Sequence, residues 1–480
     1  MIVASVAEPT PERALERIDE ARGQGADVAE VRADFLDVPD IGVILARRRL
    51  PVIVTARPAW EGGRWTANED DRIALLREAG RAGAEYVDVE FKAYKDFDRG
   101  RASLILSWHD FEKTPGDLDR IVRKIAALEP AILKIACMAR GAGDLARLVE
   151  LQKRLPRPGA VIAMGEFGEP LRILYRRYGG VLTYASVGEA TAPGQLPVSE
   201  LVQAYRVKTV DDETAVYAVV GDPVAHSQSP RVFNRVFREL GLNACHVRVK
   251  LDDGARLREV ASALELRGAS VTIPHKETAL ASADEADAAA KGIGAANTLV
   301  SRDGRWVATN TDAPAAVEAI GEAAKRKWAH GVYGMRALVL GAGGAARAVA
   351  WGLRAEGARV IVANRTFERA KALAEALRCE VLGWDRLIEA RAQIVVNATS
   401  VGMGEPGASP YPKELWKRDQ VAFDCVYTPR DTRFLREARE AGAETADGVE
   451  MFLRQANLQL REFIGRTMPT EVFKELRAKL

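Results

Sequence analysis

The sequence predicts an α/β protein in which a (β/α)8 barrel is fused to a second half made of further α/β domains. Short apolar runs alternate with amphipathic, Ala-, Arg-, Glu- and Leu-rich stretches through about the first 200 residues, which is typical of repeated strand–helix units. Later in the chain, the segment RALVLGAGGAARAV (336–349) places a glycine-rich turn directly after an apolar run. That pattern is typical of a nucleotide-binding fold with a parallel sheet.

Eight apolar runs in the first part of the chain are the candidate barrel strands. They cover residues 1–7, 27–35, 51–57, 86–91, 103–110, 132–139, 161–166 and 181–187. Eight strand–helix units of this size form a compact TIM barrel, whose chemistry lies at the C-terminal ends of the strands. Polar residues cluster at those ends in this sequence, namely Glu30, Arg32, Arg57, Glu61 and His109.

Changes in composition indicate the domain boundaries. The segment YRVKTVDDET is polar and charged, β/α alternation resumes at YAVVGDP, and GVEMFLRQANLQLREFIG has apolar residues at helical spacing. We predict the barrel over residues 1–205, a linker over 206–214 and an α/β domain over 215–317. A nucleotide-binding domain with a Rossmann fold is expected over 318–447, followed by a helical segment over 448–480 that completes the second half.

Composition excludes several classes of function. Hydrophobic residues make up 48% of the chain, charged residues make up 28%, and the net charge is +2. These values are ordinary for a globular protein, and with no Lys/Arg block they predict no nucleic-acid partner. No apolar stretch is long enough to span a membrane, and the first residues lack the pattern of a signal peptide, so we expect a cytoplasmic location. Four cysteines without a CxxC pair argue against a disulfide framework and a metal site.

A lysine within an apolar strand is the first candidate for catalysis. Lys134 lies in AILKIACMA, where burial would favour its neutral form, and a neutral amine can form a Schiff base with a ketone. A lysine at a strand end whose ammonium reaches solvent is the commoner alternative. His109, at the end of the preceding strand, favours the catalytic interpretation because this chemistry needs a proton shuttle. Glu61 could orient the imidazole.

The motifs of the barrel together resemble those of one enzyme family. ILSWHDFEKTP, AILKIACMA, VTARPAWEGG and EATAPGQL are similar to segments of the type I 3-dehydroquinate dehydratases, across nearly all of residues 1–205. The resemblance implies that Lys134 forms an imine with the substrate and that His109 is the general acid/base. Thr191 stands where the family commonly has serine, and it retains the hydroxyl. The implied substrate pocket comprises Glu30, Arg32, Arg57, Glu61, Arg172, Thr191 and Gln195.

In the second half, VVGDPVAHSQSP (219–230) presents two hydroxyls after a strand. Ser227 and Ser229 occupy alternate positions, so both hydroxyls can point the same way and donate to a carboxylate. Alternatively, Ser229 is the N-cap of a helix whose first residue is Pro230. Both interpretations can hold, and the sequence leaves them open.

Three further motifs follow, VTIPHKE (271–277), GAANTLV (294–300) and ATNTDA (308–313), and two of them contribute a lysine and an aspartate. VTIPHKE contains Lys276, and ATNTDA contains Asp312. Such a pair can transfer a proton to a ketone oxygen, with Asp312 keeping the ammonium charged and in place. The alternative is a structural ion pair.

The order of these motifs and the residues within them resemble those of the shikimate dehydrogenases over residues 215–480. The resemblance implies that residues 215–317 bind the substrate and that Lys276 and Asp312 are the catalytic dyad. The residues that it implies for substrate binding are Ser227, Ser229, Thr272, Asn297, Tyr427 and Gln455.

The glycine-rich turn predicts a dinucleotide site. Its glycines are followed by Ala346 at the third fingerprint position, and the turn leads from a strand into a helix, as a pyrophosphate site requires. One β/α unit later, Arg365 stands in VIVANRTFERA, where an NAD enzyme would present Asp or Glu, which favours the 2′-phosphate of NADP. The predicted cofactor residues are Gly341, Gly343, Gly344, Ala345, Asn364, Arg365, Thr366, Arg369 and Thr399.

The two resemblances predict a bifunctional enzyme of aromatic amino acid biosynthesis. It would dehydrate 3-dehydroquinate to 3-dehydroshikimate and reduce that product to shikimate with NADPH. One alternative is a dehydrogenase that oxidises quinate, since quinate differs by little more than one ring hydroxyl. A second is a metabolite-sensing regulator built from inactive copies, which predicts lost catalytic residues or an added DNA-binding segment. The sequence retains all four candidate catalytic side chains, and it does not determine the oligomeric state.

Overall fold

The computed structural model describes residues 1–404 and 407–480. The described residues form two compact units, Met1–Leu266 and Arg267–Leu480, called here the first and second unit. None of their helices is both long enough and apolar enough to cross a bilayer.

The strands are, in chain order, β1 Ile2–Val6, β2 Val28–Arg32, β3 Val52–Thr55, β4 Tyr86–Glu90, β5 Ser103–Asp110, β6 Ile132–Met138, β7 Gly159–Met164, β8 Thr183–Ser186, β9 Ala215–Gly221, β10 Ala244–Lys250, β11 Leu266–Val271, β12 Glu285–Ala286, β13 Thr298–Arg302, β14 Arg305–Thr309, β15 Arg336–Leu340, β16 Arg359–Ala363, β17 Glu380–Leu382, β18 Ile394–Asn397, β19 Val421–Asp424 and β20 Glu444–Ala446.

The α-helices are α1 Pro11–Gln24, α2 Ile41–Arg47, α3 Glu69–Arg81, α4 Leu118–Ala126, α5 Ala142–Lys153, α6 Glu169–Ile173, α7 Val198–Gln203, α8 Ser229–Glu239, α9 Leu257–Ala263, α10 Lys276–Ser282, α11 Ala288–Ile293, α12 Asp312–Lys325, α13 Gly344–Ala355, α14 Phe367–Leu377, α15 Arg433–Glu440, α16 Gly448–Ile464 and α17 Thr470–Lys479.

The first eight strands form a nearly closed parallel barrel. Their order in the sheet is β7-β6-β5-β4-β3-β2-β1-β8, so β8 returns to pair with β1. At the remaining seam the backbone N–H of Val181 donates to the carbonyl of Gly159 over 3.0 Å. Parallel strands of one barrel end at the same rim, which brings residues distant in sequence to one pocket.

Local sequence explains why the barrel helices form where they do. In α1, the Thr10 side chain caps the N-terminus, and Gly25 ends the helix with a φ of 99°. That left-handed conformation is readily adopted by glycine. Ala14, Ile18 and Ala21 recur at helical spacing and are buried. The eight predicted strands are therefore confirmed, each interleaved with the connections that a barrel needs.

The ends of the strands differ from the prediction by a few residues. The predicted strand over 27–35 stops at Arg32, and residues 33–35 form a turn of 3-10 helix. Across this turn the Arg32 guanidinium makes two hydrogen bonds to the carboxylate of Asp34, at 2.8 and 2.6 Å.

The segment over 206–214, predicted as a linker, is packed. Val207 and Val210 are buried, and the Lys208 ammonium lies 2.7 Å from a carboxylate oxygen of Asp27. The Arg177 guanidinium donates to the carbonyl of Thr214 over 3.1 Å. This segment belongs to the first unit, whose last elements are β9, α8, β10 and α9. The predicted domain boundaries stay a prediction.

The second unit contains a six-stranded parallel sheet of order β17-β16-β15-β18-β19-β20. This order reverses between β15 and β18, which is the position where doubly wound sheets bind their ligands. Val339 and Val396 of this sheet share one apolar core with Ala346 and Val349 of α13. The predicted C-terminal helix is confirmed as α16, which packs against α12.

Candidate active sites

Lys134 lies inside the barrel and is 4% exposed. Its ammonium is 2.9 Å from Asp88 Oδ2, 3.6 Å from Glu30 Oε1 and 4.0 Å from the centre of the Tyr184 ring. The surroundings are therefore charged rather than purely apolar, unlike the expectation from AILKIACMA. Side chains alternate along a strand, so the apolar neighbours in sequence face away from the barrel interior that Lys134 enters.

Asp88 was missed by the sequence analysis. It is fully buried, lies 3.0 Å from Arg57 Nη2, and accepts a hydrogen bond from Ser107 Oγ over 2.5 Å. Burial alone would raise the pKa of Asp88, but the charges of Arg57 and Lys134 outweigh burial and hold it below its usual range. The signal available in sequence was a charged residue between the valines of YVDVEF.

Arg57 is fixed by carboxylates on the neighbouring strand. Its Nη1 lies 2.5 Å from Glu90 Oε1, and Glu90 Oε2 lies 2.6 Å from Arg72 Nη1. Burial opposes the charge on Arg57, yet Asp88 and Glu90 together raise its pKa. Arg57, Asp88, Glu90 and Arg72 thus form one connected set of buried ion pairs, which fixes the Arg57 side chain.

Glu61 contacts both the backbone and the imidazole of His109. Glu61 Oε1 accepts a hydrogen bond from the backbone N–H of His109 over 2.6 Å and lies 3.4 Å from its Nδ1. Burial and the charges of Arg57 and Lys134 lower the pKa of His109 well below its usual value, so the ring is neutral near pH 7 and can accept a proton. Burial, opposed by Arg57, raises the pKa of Glu61 to about 7.

Arg172 provides a positive charge at the other side of the pocket. It lies on α6, is 3% exposed, and donates to the carbonyls of Tyr184 and Pro193 over 3.4 and 3.1 Å. Burial lowers its pKa to about 10, which leaves it charged. Among the described residues no carboxylate pairs with it, so an anionic substrate can. Gln195 Oε1 accepts from the Thr191 backbone over 2.8 Å.

The structure gathers the predicted barrel residues around one cavity. Of the predicted set, Glu30, Arg32, Arg57, His109, Lys134, Arg172, Thr191 and Gln195 line it. Glu61 lies behind His109. The cavity residues that sequence reasoning did not predict are Ser5, Gly62, Phe111, Ala136, Ile162, Met164, Tyr184 and Ala192.

In the second unit, Lys276 and Asp312 are the first residues of α10 and α12. Lys276 Nζ lies 2.5 Å from Asp312 Oδ2. The other oxygen, Oδ1, accepts a hydrogen bond from Asn297 Nδ2 over 2.8 Å. Asp312 is therefore held on both oxygens, and its backbone N–H donates to the side chain of Asn310, which the sequence analysis missed.

Of the other predicted substrate residues of the second unit, Asn297 contacts this pair and Gln455 contacts Asn297. Asn297 Nδ2 is 3.5 Å from Gln455 Oε1 on α16. The Tyr427 ring stacks on Phe452 with 5.0 Å between centroids, and burial raises the pKa of Tyr427, so its hydroxyl stays neutral. Thr272 is half-buried in the turn that leads into Lys276.

Ser227 and Ser229 lie in the first unit, in and after the loop that follows β9. Ser229 is the first residue of α8, and Gln228 occupies the N-cap position without a side-chain cap. The interpretation of Ser229 as the cap is therefore wrong. Ser227 Oγ instead accepts a hydrogen bond from the Ser229 backbone N–H over 3.3 Å, which fixes the Ser227 side chain relative to the start of α8.

The glycine-rich turn forms the start of α13. Gly341 has a φ of 115°, and a side chain there would come within 2.7 Å of the carbonyl of Ala398. Gly343 is the N-cap and Gly344 the first helical residue, with Ala345 next, so free N–H groups are available to an anion. A Cβ on Gly344 would lie 3.3 Å from Lys276 Cδ, so the turn adjoins the Lys276–Asp312 pair.

The residues predicted for the 2′-phosphate follow β16. Arg365, Thr366 and Arg369 are exposed, and within the described ranges neither arginine forms an ion pair. Asn364 Nδ2 donates to the carbonyl of Thr366 over 2.9 Å, which shapes the turn. The N–H groups at the start of α13, together with the exposed guanidinium groups of Arg365 and Arg369, fit a phosphorylated dinucleotide.

The Thr399 side chain belongs to a hydrogen-bond network with Asn397, Asp424 and Thr432, and this network was not predicted from the sequence. Its hydroxyl donates to Asn397 Oδ1 over 2.7 Å, and Asn397 Nδ2 donates to Asp424 Oδ1 over 2.9 Å. Thr432 Oγ1 donates to the other oxygen of Asp424 over 2.6 Å. Burial raises the pKa of Asp424 to about 6.

Comparison with known families assigns both halves. The model of the type I 3-dehydroquinase family matches residues 2–212. The shikimate dehydrogenase substrate-binding domain matches residues 219–299, and the shikimate/quinate 5-dehydrogenase family matches 322–403. The described residues contain no group of three or more His, Cys, Asp or Glu side chains that could hold a metal ion.

Individual relatives agree. The chloroplastic bifunctional 3-dehydroquinate dehydratase/shikimate dehydrogenase of Arabidopsis thaliana is 35% identical over 509 residues, covering 100% of this chain and 84% of the relative. The NADP-dependent shikimate dehydrogenase of Thermus thermophilus is 43% identical and covers 52% of this chain and 92% of the relative. The crystal structure of shikimate 5-dehydrogenase from the same organism, in complex with NADP(H) and shikimate, has a TM-score of 0.50 at 39% identity, covering 55% of this chain and 99% of that one.

The fold and the two sites thus define a lyase joined to an NADP-dependent oxidoreductase. This chain belongs to the family of bifunctional 3-dehydroquinate dehydratase/shikimate dehydrogenases of the shikimate pathway. The predicted fold class, both activities and the cofactor are confirmed. The curated relatives named here are shikimate dehydrogenases, so the quinate alternative is not favoured, and neither is an inactive regulator.

Proposed function

We propose that Lys134 forms an imine with 3-dehydroquinate and that His109 transfers the protons. The observation that carries this proposal is the placement of both side chains at the same rim. Ser107 is opposite Lys134 in the β5–β6 register, so His109 lies two residues further along β5 and faces the same pocket. The neutral imidazole is in the protonation state that a base requires.

The proposed chemistry has four steps. The Lys134 amine attacks the ketone carbon, a C–N bond forms and the C–O bond breaks. The oxygen leaves as water with one proton from the amine and one delivered through His109, which gives an iminium ion. His109 removes a proton from the adjacent carbon, and the electron pair moves into the iminium, which acts as an electron sink. The neighbouring hydroxyl then leaves as water with a proton from the imidazolium. Hydrolysis of the imine releases 3-dehydroshikimate and restores the amine.

Other pocket residues bind and orient the substrate. The Arg172 guanidinium is free to bind the substrate carboxylate, with Thr191 and Gln195 beside it. Glu61 holds the backbone of His109, and Glu30, Arg32 and Arg57 surround the reacting ring. Asp88 fixes the position of Lys134 before the substrate enters.

In the dehydrogenase half, we assign proton transfer to Lys276 and its orientation to Asp312. Bound NADPH supplies the hydride to the ketone carbon. Lys276 donates the proton to the ketone oxygen, and Asp312 holds the ammonium while Asn297 fixes Asp312. The side chains assigned to substrate binding are Ser227, Ser229, Thr272, Asn297, Tyr427 and Gln455.

NADPH would be held by the N-terminus of α13 and by the turn after β16. Gly343, Gly344 and Ala345 would present backbone N–H groups to the pyrophosphate. The N–H of Gly341 donates to the carbonyl of Ala363 over 2.8 Å, so Gly341 would contribute through its left-handed backbone conformation, which shapes the turn. Asn364 and Thr399 shape the walls of the site. Arg365, Thr366 and Arg369 would bind the 2′-phosphate.

One set of assays on the full chain tests both halves. With 3-dehydroquinate and NADPH, the wild type should consume NADPH, whereas Lys134→Ala should consume it only when 3-dehydroshikimate is supplied. Lys276→Ala should keep the dehydratase activity and lower the dehydrogenase kcat by about 10²-fold, as expected for loss of a positioned proton donor.

Borohydride added during turnover should attach substrate mass to Lys134. Unmodified Lys134 in a dehydratase-active, treated sample would exclude the imine, and near-normal reduction by Lys276→Ala would exclude the dyad.

We also propose that the protein acts in the cytoplasm on small molecules alone. The near-neutral net charge of +2 and the ordinary composition support this. Fractionation of cells that produce the protein tests it, and recovery from an organelle, as the name of the plant relative describes, would contradict it.

A further inference from the structure

Arg248, on β10 of the dehydrogenase half, enters a polar cluster supplied by the barrel half. Its Nη1 lies 3.1 Å from Glu169 Oε1, 3.0 Å from the Tyr205 hydroxyl and 3.4 Å from Glu200 Oε1. The Arg248 side chain is only 13% exposed. A guanidinium so far withdrawn from water depends on these partners to offset its desolvation.

The cluster is closed on the barrel side. The Tyr205 hydroxyl donates to Glu169 Oε1 over 2.8 Å while it accepts from Arg248, so both of its hydrogen-bonding capacities are used. Tyr205 is 3% exposed. Glu169 begins α6, the same short helix that carries Arg172 of the dehydratase pocket.

The other edge of the guanidinium faces the loop with the two predicted substrate hydroxyls. Arg248 Nε donates to the backbone carbonyl of Ser227 over 3.4 Å. In the β9–β10 register Arg248 is opposite Val219, and the loop leaves β9 two residues later. One side chain thus connects the barrel cluster to the loop whose backbone sets the direction of both hydroxyls.

We propose that Arg248 is a positioning residue for the dehydrogenase and that Glu169 and Tyr205 of the barrel hold it in place. The barrel half thereby sets the affinity of the dehydrogenase for 3-dehydroshikimate. This inference rests on the proposed role of Ser227 and Ser229 in substrate binding. Arginine suits the role because Nε and Nη1 donate from two separate positions of one rigid plane, whereas the three donors of a lysine all leave from a single nitrogen.

A second ion pair between the same halves supplies a matched control. Lys250 Nζ lies 2.5 Å from Glu166 Oε2, and the Glu166 side chain is 70% exposed. Lys250 lies on β10 like Arg248, and its ammonium is also 3.8 Å from Asp222 Oδ1 at the start of the Ser227 loop, a contact that replacing Glu166 leaves in place. Glu166 itself has no contact with that loop among the described hydrogen bonds and ion pairs. Glu166→Gln should therefore remove one ion pair between the halves without moving the two hydroxyls.

Steady-state kinetics of full-length variants tests the proposal. Arg248→Lys and Glu169→Gln should raise the KM for 3-dehydroshikimate by about five- to tenfold, the lower range for one charge-assisted hydrogen bond. The kcat should change by less than about twofold, because the proton donor and hydride path are untouched. Tyr205→Phe, which keeps the buried ring, should raise the KM about two- to threefold. The KM for NADPH and the dehydratase kcat/KM should stay at wild-type values in all three.

The alternative outcomes are distinguishable. If Arg248→Lys, Glu169→Gln and Tyr205→Phe lower the Tm but leave the KM for 3-dehydroshikimate unchanged, the cluster is only structural and the proposal is overturned. An equal rise of KM in Glu166→Gln would also overturn it. Ser227→Ala separates the two hypotheses: an unchanged KM there refutes the role of Ser227 in binding, whereas a raised KM there with unchanged KM in the three cluster variants refutes the positioning role alone.

Discussion

Asp88 and Asp312 occupy comparable positions in the two halves of the enzyme. Each is a buried carboxylate next to a lysine for which we propose a catalytic role, at 2.9 Å from Lys134 and 2.5 Å from Lys276. Each also has its remaining capacity used, by Arg57 and Ser107 in one case and by Asn297 in the other. A carboxylate that is fixed in this way cannot follow a mobile side chain, so it holds the lysine in one place.

The titration of Glu61 should be visible in the stability of the protein. Burial raises the pKa of Glu61 from 4.5 to about 7, so the folded state keeps this proton over a range in which the unfolded chain has lost it. The resulting stabilisation is fully present below pH 4.5 and disappears as the pH rises through about 7. Glu61→Gln cannot titrate, so the Tm of the wild type should fall relative to that of the variant between these values. Parallel Tm profiles would contradict the raised pKa, and Glu112→Gln, at an exposed site, is the control.

Coenzyme choice should depend on Arg365. The 2′-phosphate carries more than one negative charge, and one exposed charge-assisted contact to it contributes about tenfold in affinity after screening by salt. Arg365→Ala should therefore raise the KM for NADPH about tenfold and leave NADH nearly unaffected. Arg369→Ala should have a smaller effect because its longer reach costs more side-chain entropy. Arg354→Ala, at the far end of α13, should have none, and a wild type that prefers NADH would refute the 2′-phosphate site.

Among the secondary-structure elements, the sequence predicted the strands better than their surroundings. Each apolar run of the barrel is visible because a strand covered on both faces is continuously apolar. The turn after Arg32 was not predicted, and the start of α8 was predicted one residue too late, because neither position is determined by periodicity. The contacts of Lys134 could not be predicted either, since Asp88 reaches it only through the register of β4, β5 and β6.

One barrel helix is capped from the dehydrogenase half. The N-cap residue of α5 is Gly141, which has no side chain, and Asp252 Oδ1 instead accepts from the backbone N–H of Ala142 over 3.0 Å. Such caps stabilise proteins by about 1 kcal/mol. Asp252→Ala should lower the free energy of unfolding by about that amount, measured in urea, while Asp252→Asn should retain most of it because an acceptor oxygen remains. Equal stabilities of Asp252→Ala and the wild type would show that the cap is not needed.

At the scale of the whole molecule, the first unit contains the barrel together with the first elements of the dehydrogenase. Each part supplies hydrogen-bond partners to a helix end of the other. Lys153 Nζ and the Tyr178 hydroxyl of the barrel donate to the carbonyls of Ala263 and Leu264, at 2.8 and 2.9 Å, where α9 ends. These are carbonyls that a helix terminus otherwise leaves without partners. The barrel and the first elements of the dehydrogenase are therefore joined by packing and hydrogen bonds as well as by the connecting segment 206–214.

Separation of the halves should consequently have unequal effects on the two activities. The residues that we propose for the dehydratase reaction all lie within a fragment of residues 1–210, and a barrel of this size can bury its own core. That fragment should keep the wild-type kcat/KM and lose only stability, since it lacks Asp252 and the partners of Lys153. A fragment of residues 211–480 should reduce 3-dehydroshikimate with an unchanged kcat, but with a KM raised by about tenfold, because Arg248 loses Glu169 and Tyr205. Kinetics of both fragments, with circular dichroism to establish that each is folded, decides the matter: a folded dehydrogenase fragment with the KM of the full chain would mean that the barrel contributes nothing to substrate affinity.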